Sequence, residues 1–469
     1  MNENFDSFNN EDTLELVKRY EEMLQSDSHY FFDVEDFEEI IDHYLFENDN
    51  DKAASSIETA LAQHPDNASI LLKKAQFLIN TNKPGKALKI LGAIETGGFT
   101  DPEFHMNLGN LYSQLEKPEK AIEEFTIALD DAEFPDEVYA GIAFEYENLG
   151  KYDKAVDYLI RAIDQNPENE AALYELSFCL EISQQTEKAV EFLGRFTDNH
   201  PFSKAAWFNL GIAFSNLELY EKAIQAYDYA IAIDETFSSA YFNKANCFAN
   251  LGEYNQAIET YLETSFYEDP DPLTNYYIAE CYEKQEQYET AISYYKKAIR
   301  LDPDFGDAWL GAGIAYDALE RTTTALTYVR KAISISPAIP EYWFILGDLQ
   351  IKLLKIDEGI KSYRKVIELD PEDPEIWLEL SLVYAGQQDF EQAYKTLQDG
   401  LQYHDQNPDF YYSIANYLSR SGKQKQAEEI LETALNMDYN GLFRMYRTFP
   451  DIKNNSSFTN IIESYKHNK

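Results

Sequence analysis

Cysteine is scarce in this chain of 469 residues: three are present, Cys179, Cys247 and Cys281. They are too few and too widely separated for a disulfide framework or for the close-spaced ligand pairs of a zinc site. Histidine is nearly as rare, and His29, His43, His64, His105, His200, His404 and His467 include no helical pair at metal-binding spacing. Long apolar runs are missing. No stretch reaches the ~18 residues of a membrane span, so no membrane insertion is expected. Met1 to Asp12 is polar and acidic, without the basic region and apolar core of a secretion signal. A cytoplasmic protein is the expectation. Positive charge is short as well, with 39 Lys and Arg against 84 Asp and Glu and a net charge of −45. Such a surface repels phosphates and anionic lipid, which excludes nucleic acid as a partner. Phosphate loops, dinucleotide fingerprints and serine elbows are absent. Carboxylate pairs such as Glu21 and Glu22 carry little weight in a chain this acidic. No catalytic residue, metal site or cofactor is expected, and the chain reads as a non-enzyme.

What is present is a period. Alanine stands at Ala53, Ala87, Ala121, Ala155, Ala189, Ala223, Ala257, Ala291, Ala325, Ala393 and Ala427, always on one 34-residue spacing, and Gly359 fills the single gap. A fixed period of this length marks a stacked array of one supersecondary unit. With each repeat begun 19 residues before its alanine, twelve repeats run from 34 to 441 without an insertion. The eighth place is small in all but the first (Ala75, Gly109, Ala143, Ser177, Gly211 and onwards), where Ile41 stands. The eleventh is usually a ring, as in Tyr112, Phe214 and Tyr316. The twenty-fourth is large and apolar, as in Phe125, Tyr227 and Tyr363. All four tryptophans, Trp207, Trp309, Trp343 and Trp377, take the fourth place.

The fourth, seventh, eighth and eleventh places share one stripe of a helix, and the twentieth, twenty-fourth and twenty-seventh share one stripe of a second. Small residues at the eighth and twentieth places are expected to face each other where the two helices cross, with rings filling the space beside them. Prolines agree with this phase. Pro65, Pro167, Pro201, Pro303, Pro337 and Pro371 fall past the second helix, and Pro102, Pro272, Pro340, Pro374 and Pro408 open a repeat. Pro84 and Pro118 are expected in the turn between helices, Pro135 and Pro270 in loops, and Pro450 in the tail. All of them avoid helix interiors, where each would cost ~3 kcal/mol. Gly150, Gly252 and Gly422 mark a left-handed turn inside a repeat.

Trp207, Leu210, Gly211, Phe214, Tyr220, Ala223, Tyr227 and Ala230 together resemble the signature of the tetratricopeptide repeat family, and the likeness covers residues 34 to 441. It implies an all-α fold: a right-handed α-solenoid of about twelve helix-turn-helix repeats of 34 residues with terminal capping helices. Three parts are expected, an N-terminal capping helix in 1–33, the repeats in 34–441, and C-terminal capping helices in 442–469. Leu16, Tyr20, Met23 and Leu24 make the N-terminal stripe. Leu442, Phe443, Met445 and Tyr446, then Phe458, Ile461, Ile462 and Tyr465, make the C-terminal ones. The locally basic tail has the acidic body or a second copy as its counterpart. The repeat from 340, with Gln350 and Gly359 where a ring and an alanine are usual, is expected to pack less well. Repeats and caps consume the chain, and no room is left for an appended catalytic domain.

The resemblance also implies a concave groove lined by the first helices, with a peptide as its usual occupant. Places off the packing stripe supply the candidate peptide-binding residues: Phe144, Tyr174, Phe178, Phe208, Asn209, Asn216, Phe242, Asn243, Asn246, Asn250 and Tyr276. An asparagine amide offers a donor and an acceptor to any peptide backbone, while rings grip side chains. Asn107, Asn209 and Asn243 share the sixth place, similar to the asparagine ladder in the repeats of O-linked N-acetylglucosamine transferases, interrupted here by Gly141, Glu175 and Tyr277. The other reading is that these rings pack between neighbouring first helices. A clamp for a C-terminal dicarboxylate is not expected. It needs lysine at the fifth place with asparagine at the ninth, and Met106 with Asn110, Phe242 with Asn246 and Tyr412 with Asn416 keep only the asparagine. The acidity has two readings, solvation of the outer faces or attraction for a basic partner. The function expected is a non-catalytic scaffold binding an extended peptide or a partner helix. The alternative is an assembly protein that self-associates through its ends or outer faces.

Overall fold

The computed structural model describes residues 11–26, 30–98, 101–269 and 271–467. Among the described residues there are 27 α-helices, two short 3-10 turns and no strand. The chain is an all-α array of helical repeats. Its first helices begin at the first place of a repeat (Val34, Ala68, Pro102, Glu170, Lys204 and so on), one residue earlier only at Pro135. Its second helices begin at the seventeenth place in all twelve repeats (Asn50, Pro84, Pro118, Tyr152 through Gln424). Pro84 and Pro118 therefore open helices instead of lying in the turn, and Pro135 opens a helix instead of lying in a loop. At a first helical position the missing N–H would have had no intrahelical partner. Pro270 lies outside the described residues.

Many first helices are started by a side-chain cap on the residue before them, whereas those that follow Phe134, Phe237, Phe305 and Ile339 have none. Asn67, Asp101, Asn169, Ser203 and Asp271 each accept from a backbone N–H in the first turn, at 3.1, 2.8, 3.0, 3.3 and 2.7 Å. The turn inside each repeat places its fifteenth residue in the left-handed region. Gly150, Gly252 and Gly422 do so at φ 66°, 77° and 78°, and the other nine repeats use Asn, Glu, Gln or Leu at φ 55° to 63°. The turn is thus a property of all twelve repeats, although glycine marks it in three.

The small eighth and twentieth places do approach each other: a Cβ added at Gly313 would lie 3.4 Å from the Ala325 carbonyl oxygen, and one at Gly359 would lie 3.3 Å from that of Gly347, and a ring packs beside them. A Cβ added at Gly211 would lie 2.5 Å from the Tyr227 ring, so the eighth place receives the ring of the twenty-fourth place of its own repeat. The same ring also reaches the following repeat. Gly141, at the sixth place, has the Phe125 ring 3.3 Å from where its Cβ would stand, and Tyr261 stacks on Tyr277 at 6.0 Å and 7°. A ring held between two repeats both fills the core and sets the spacing of the stack. The tryptophans act at the same joint. Trp207, Trp309, Trp343 and Trp377 donate to the carbonyls of Pro201, Pro303, Pro337 and Pro371 at 2.9, 3.0, 2.9 and 3.0 Å, each bridging the end of one repeat to the next. In the repeat from 340, Ile351 occupies the space over Gly359, and the buried Ser362 hydroxyl donates to Gln350 at 2.7 Å. A hydrogen bond and a branched side chain stand there where other repeats use a ring and a methyl group.

The chain divides into two compact units, Met1–Leu251 and Gly252–Lys469, with the border inside the seventh repeat. In the first, helix Glu11–Gln25 buries Val17, Tyr20 and Met23 in a cluster with Phe37, Ile40 and Ile41, while Leu24 is half exposed. In the second, helix Leu442–Thr448 starts one full period after Pro408. Leu442, Met445, Phe449 and Phe458 are buried in the core of this unit, and Phe443 is exposed. Arg444 binds Asp409 and Asp438, each at 2.9 Å, so part of the basic tail does meet the acidic body. No described helix is long and apolar enough to cross a membrane.

Candidate functional site

A helix that buries its fourth, seventh, eighth and eleventh places turns its fifth, ninth and thirteenth outward, because side chains four apart share a face. In most surface helices those outward places are polar. In repeats four and five all but Asn148 are aromatic or apolar. Phe144 is 54 % exposed, Phe178 49 %, Ile182 49 % and Tyr174 36 %, on helices Pro135–Asn148 and Glu170–Ile182. The residues expected to form one groove separate at this point. Phe208, at the same fifth place in repeat six, is 8 % exposed. Its ring packs on Phe237 at 4.8 Å and Tyr227 at 5.8 Å, and meets Tyr174 edge-on at 6.3 Å. In the C-terminal unit Tyr276 is covered in the same way, by Phe305 at 5.1 Å and Tyr295 at 5.7 Å, and donates to Glu280 at 2.9 Å. The rule behind both was present in the sequence: where the last place of a repeat is phenylalanine, it closes over the fifth-place ring. Repeat five ends in Ser203 and has Leu193 at its twenty-fourth place, so Tyr174 has no such cover.

The asparagines divide too. Asn216 and Asn250 are exposed, and Asn243 and Asn246 are half-buried, as is Phe242. Asn209 is 2 % exposed, and its Nδ2 finds no hydrogen-bond partner. At the sixth place it lies on the side where one repeat packs on another. Its equivalent Asn107 is also buried and donates back to the Glu103 carbonyl at 3.0 Å.

Between the first helices of repeats four and five lies a hollow of about 310 Å³, bounded by Glu137, Ala140, Phe144, Glu147, Leu159, Asn169, Ala171, Ala172 and Glu175. Of the three glutamates only Glu175 stood out in the sequence, as an interruption of the asparagine ladder. Burial raises the pKa of Glu137, with the Asp136 charge adding to it. Burial likewise raises Glu147, where the nearby Glu175 charge adds and a hydrogen bond from Cys179 opposes. Cys179 itself is pushed up to about 12, by burial first and then by Glu147. A thiol so disfavoured as thiolate is a poor nucleophile. Among the described residues no salt bridge reaches Glu137, Glu147 or Glu175. Nearer the N-terminus the first helices neutralise themselves: Lys73 sits between Asp42 at 3.0 Å and Glu103 at 3.2 Å. No group of His, Cys, Asp and Glu among the described residues is close enough together to hold a metal ion. The arrangement therefore suits binding by rings, amides and uncompensated carboxylates.

Models of the tetratricopeptide repeat match residues 44–96, 102–130, 149–259, 272–339 and 350–440. No curated protein matches the chain. Solved structures do. The APC/C hetero-tetramer Cut9-Hcn1 is 16 % identical with TM-score 0.41, covering 82 % of this chain and 89 % of that one. A tetratricopeptide repeat protein from Parabacteroides merdae ATCC 43184 is 14 % identical with TM-score 0.42, over 53 % of this chain and 98 % of that one. YrrB, described as a TPR protein with an unusual peptide-binding site, is 17 % identical with TM-score 0.33, over 40 % and 96 %.

Proposed function

Because this chain belongs to the tetratricopeptide repeat family, whose members bind protein or peptide partners and are typically non-catalytic, we propose that it is a non-catalytic scaffold holding an extended peptide or partner helix. The binding face is the outward stripe of the first helices in the N-terminal unit, from Phe144 to Asn250. The observation that carries this reading is the exposure of Phe144, Tyr174, Phe178 and Ile182 on adjacent helices, since grouped exposed rings mark interaction surfaces. Asn216, Asn243, Asn246 and Asn250 supply amides beside them. Asn209 is too deeply buried to touch a partner directly, and Tyr276 belongs to the core of its own unit. The net charge of −45 favours a partner of positive character, with neither nucleic acid nor membrane as its target. In this reading the helix Glu11–Gln25 and the helices after residue 441 cap the two ends, and the protein works in the cytoplasm.

The test is capture from the native cell extract with wild type and with Phe144→Ala/Phe178→Ala, compared by quantitative mass spectrometry. A partner enriched on wild type and lost from the variant supports the groove. Identical partner sets on both, with the variant folded by circular dichroism, would remove it. The exposure of Phe443, 77 %, favours a second reading, self-association through the C-terminal tail. Light scattering decides that one: a dimer that becomes a monomer on Phe443→Ala would put assembly first.

A further inference from the structure

Phe144, Tyr174, Phe178 and Ile182 present apolar surface left open to solvent, and acids border it. Glu137, Glu147 and Glu175 line the hollow at its edge, and Glu181 is exposed on the same helix as Tyr174, Phe178 and Ile182. On the neighbouring helix Glu145 is 1 % exposed, and its Oε1 has no hydrogen-bond partner. The contrast with the first three repeats bears on the occupant. There a lysine of the protein itself bridges two carboxylates, Asp42 and Glu103. In repeats four and five the corresponding faces carry carboxylates with no bridging cation among the described residues. The three carboxylates around the hollow are not grouped tightly enough for a metal ion. The hollow they line, of about 310 Å³, has room for a larger, organic cation. An ammonium or guanidinium entering beside Phe144 would meet carboxylates around it and a ring face next to its alkyl stem.

We infer that the face of repeats four and five takes a basic amphipathic segment of a partner protein, whose apolar residues lie on Phe178, Tyr174 and Ile182 and whose lysine or arginine enters the hollow bounded by Glu137, Glu147 and Glu175. The inference rests on the scaffold reading above and adds the polarity of the partner and the point where its charge is read. An acidic or neutral segment gains nothing from the hollow, because the carboxylates there would stay unpaired.

Two fluorescent synthetic peptides of equal length test it, one alternating lysine and leucine and its twin alternating glutamine and leucine, titrated into the full chain by anisotropy. The lysine peptide is expected to bind at least about tenfold more tightly than its twin. Its affinity is expected to fall about tenfold in Glu137→Gln/Glu147→Gln/Glu175→Gln. It should change far less in Glu187→Gln/Glu191→Gln/Asp198→Asn, which removes the same charge from the exposed side of helix Thr186–Asn199. Equal losses in the two triple variants would show that general negative charge attracts the peptide, and would overturn the hollow. So would binding of the twin as tight as that of the lysine peptide. If the twin binds as well and Phe144→Ala/Phe178→Ala abolishes it, the scaffold reading stands and only the basic partner falls. If neither peptide responds to Phe144→Ala/Phe178→Ala, the groove itself is elsewhere. Circular dichroism of each variant confirms that the helices remain.

Discussion

Repeats five and six carry comparable residues at the fifth and ninth places of their first helices, Tyr174 and Phe178 in one and Phe208 and Ile212 in the other. The structure uses them in opposite ways. Phe178 is half exposed and Tyr174 partly so, whereas Phe208 is enclosed by Tyr227 and Phe237. The cause lies far along the repeat, at its twenty-fourth and last places, where repeat six has two rings and repeat five has Leu193 and Ser203. Whether a ring on the first helix belongs to the core or to the surface is decided by the second helix and by the residue that ends the repeat. Rings are recruited into the core in one repeat and left exposed in its neighbour, on backbones with matching helix boundaries.

The largest expected effect separates those two uses. Phe208→Ala should cost about 3–5 kcal/mol in the cooperative unit containing repeat six, as for a ring removed from a core. Phe178→Ala should stay within about 1 kcal/mol, because roughly half of its surface is already in water. Urea unfolding followed by circular dichroism measures both. Similar losses would mean that Phe178 supports the array, and the binding face would lose its strongest residue.

A smaller difference is expected one turn further into the helix, at the eighth place. Gly211→Ala brings a Cβ to 2.5 Å from Tyr227, so the ring must shift, at about 1–3 kcal/mol. Ser177 in repeat five already has its Cβ and faces the shorter Leu193. Its hydroxyl only donates back to the Leu173 carbonyl at 3.1 Å, so Ser177→Ala should be neutral within about 0.5 kcal/mol. Equal costs at the two sites would mean that the ring at the twenty-fourth place does not set the helix approach.

The repeat length and the starts of nearly all first helices were legible in the sequence, because a stacked array writes its geometry as one period, whereas the seventeenth place reads as turn from Pro84 and Pro118 and yet opens every second helix. Trp207 and Pro201 were legible as positions but not as partners, since the indole-to-carbonyl bond joins places in different repeats. The site was less legible for the same reason. Helical periodicity names the residues that leave the helix's own packing stripe, and Phe144, Tyr174 and Phe178 were found that way. It does not reveal what another segment lays over them, and so Phe208 and Tyr276 were grouped with exposed rings. Asn209 was grouped with the groove because the sixth place lies off the intrahelical stripe, yet that place faces the preceding repeat. Glu137, Glu147 and Glu175 were hidden by abundance: among 84 acids, three without a counter-ion look like any others until the fold shows which carboxylates have one.

The smallest expected effect tests whether repeats five and six are otherwise alike. Their turns place Gln184 and Glu218 in the left-handed region, at φ 57° and 58°. That conformation crowds a Cβ against the following carbonyl and costs roughly 1–2 kcal/mol, whereas glycine adopts it freely. Part of the gain from glycine is lost again, because the unfolded chain becomes more flexible. Gln184→Gly should therefore stabilise by only about 0.5–1 kcal/mol, and Glu218→Gly by the same amount. The equality matters more than the size. Both turns have the same backbone, and neither touches the rings at the fifth, twenty-fourth or last places. Matched gains, read from the urea midpoints of the two single variants, would confine the difference between the repeats to their side-chain cover. A gain in repeat six with none in repeat five would mean that the turn of repeat five is under a different constraint, and that the exposure of Tyr174 and Phe178 has a backbone cause beyond the missing rings.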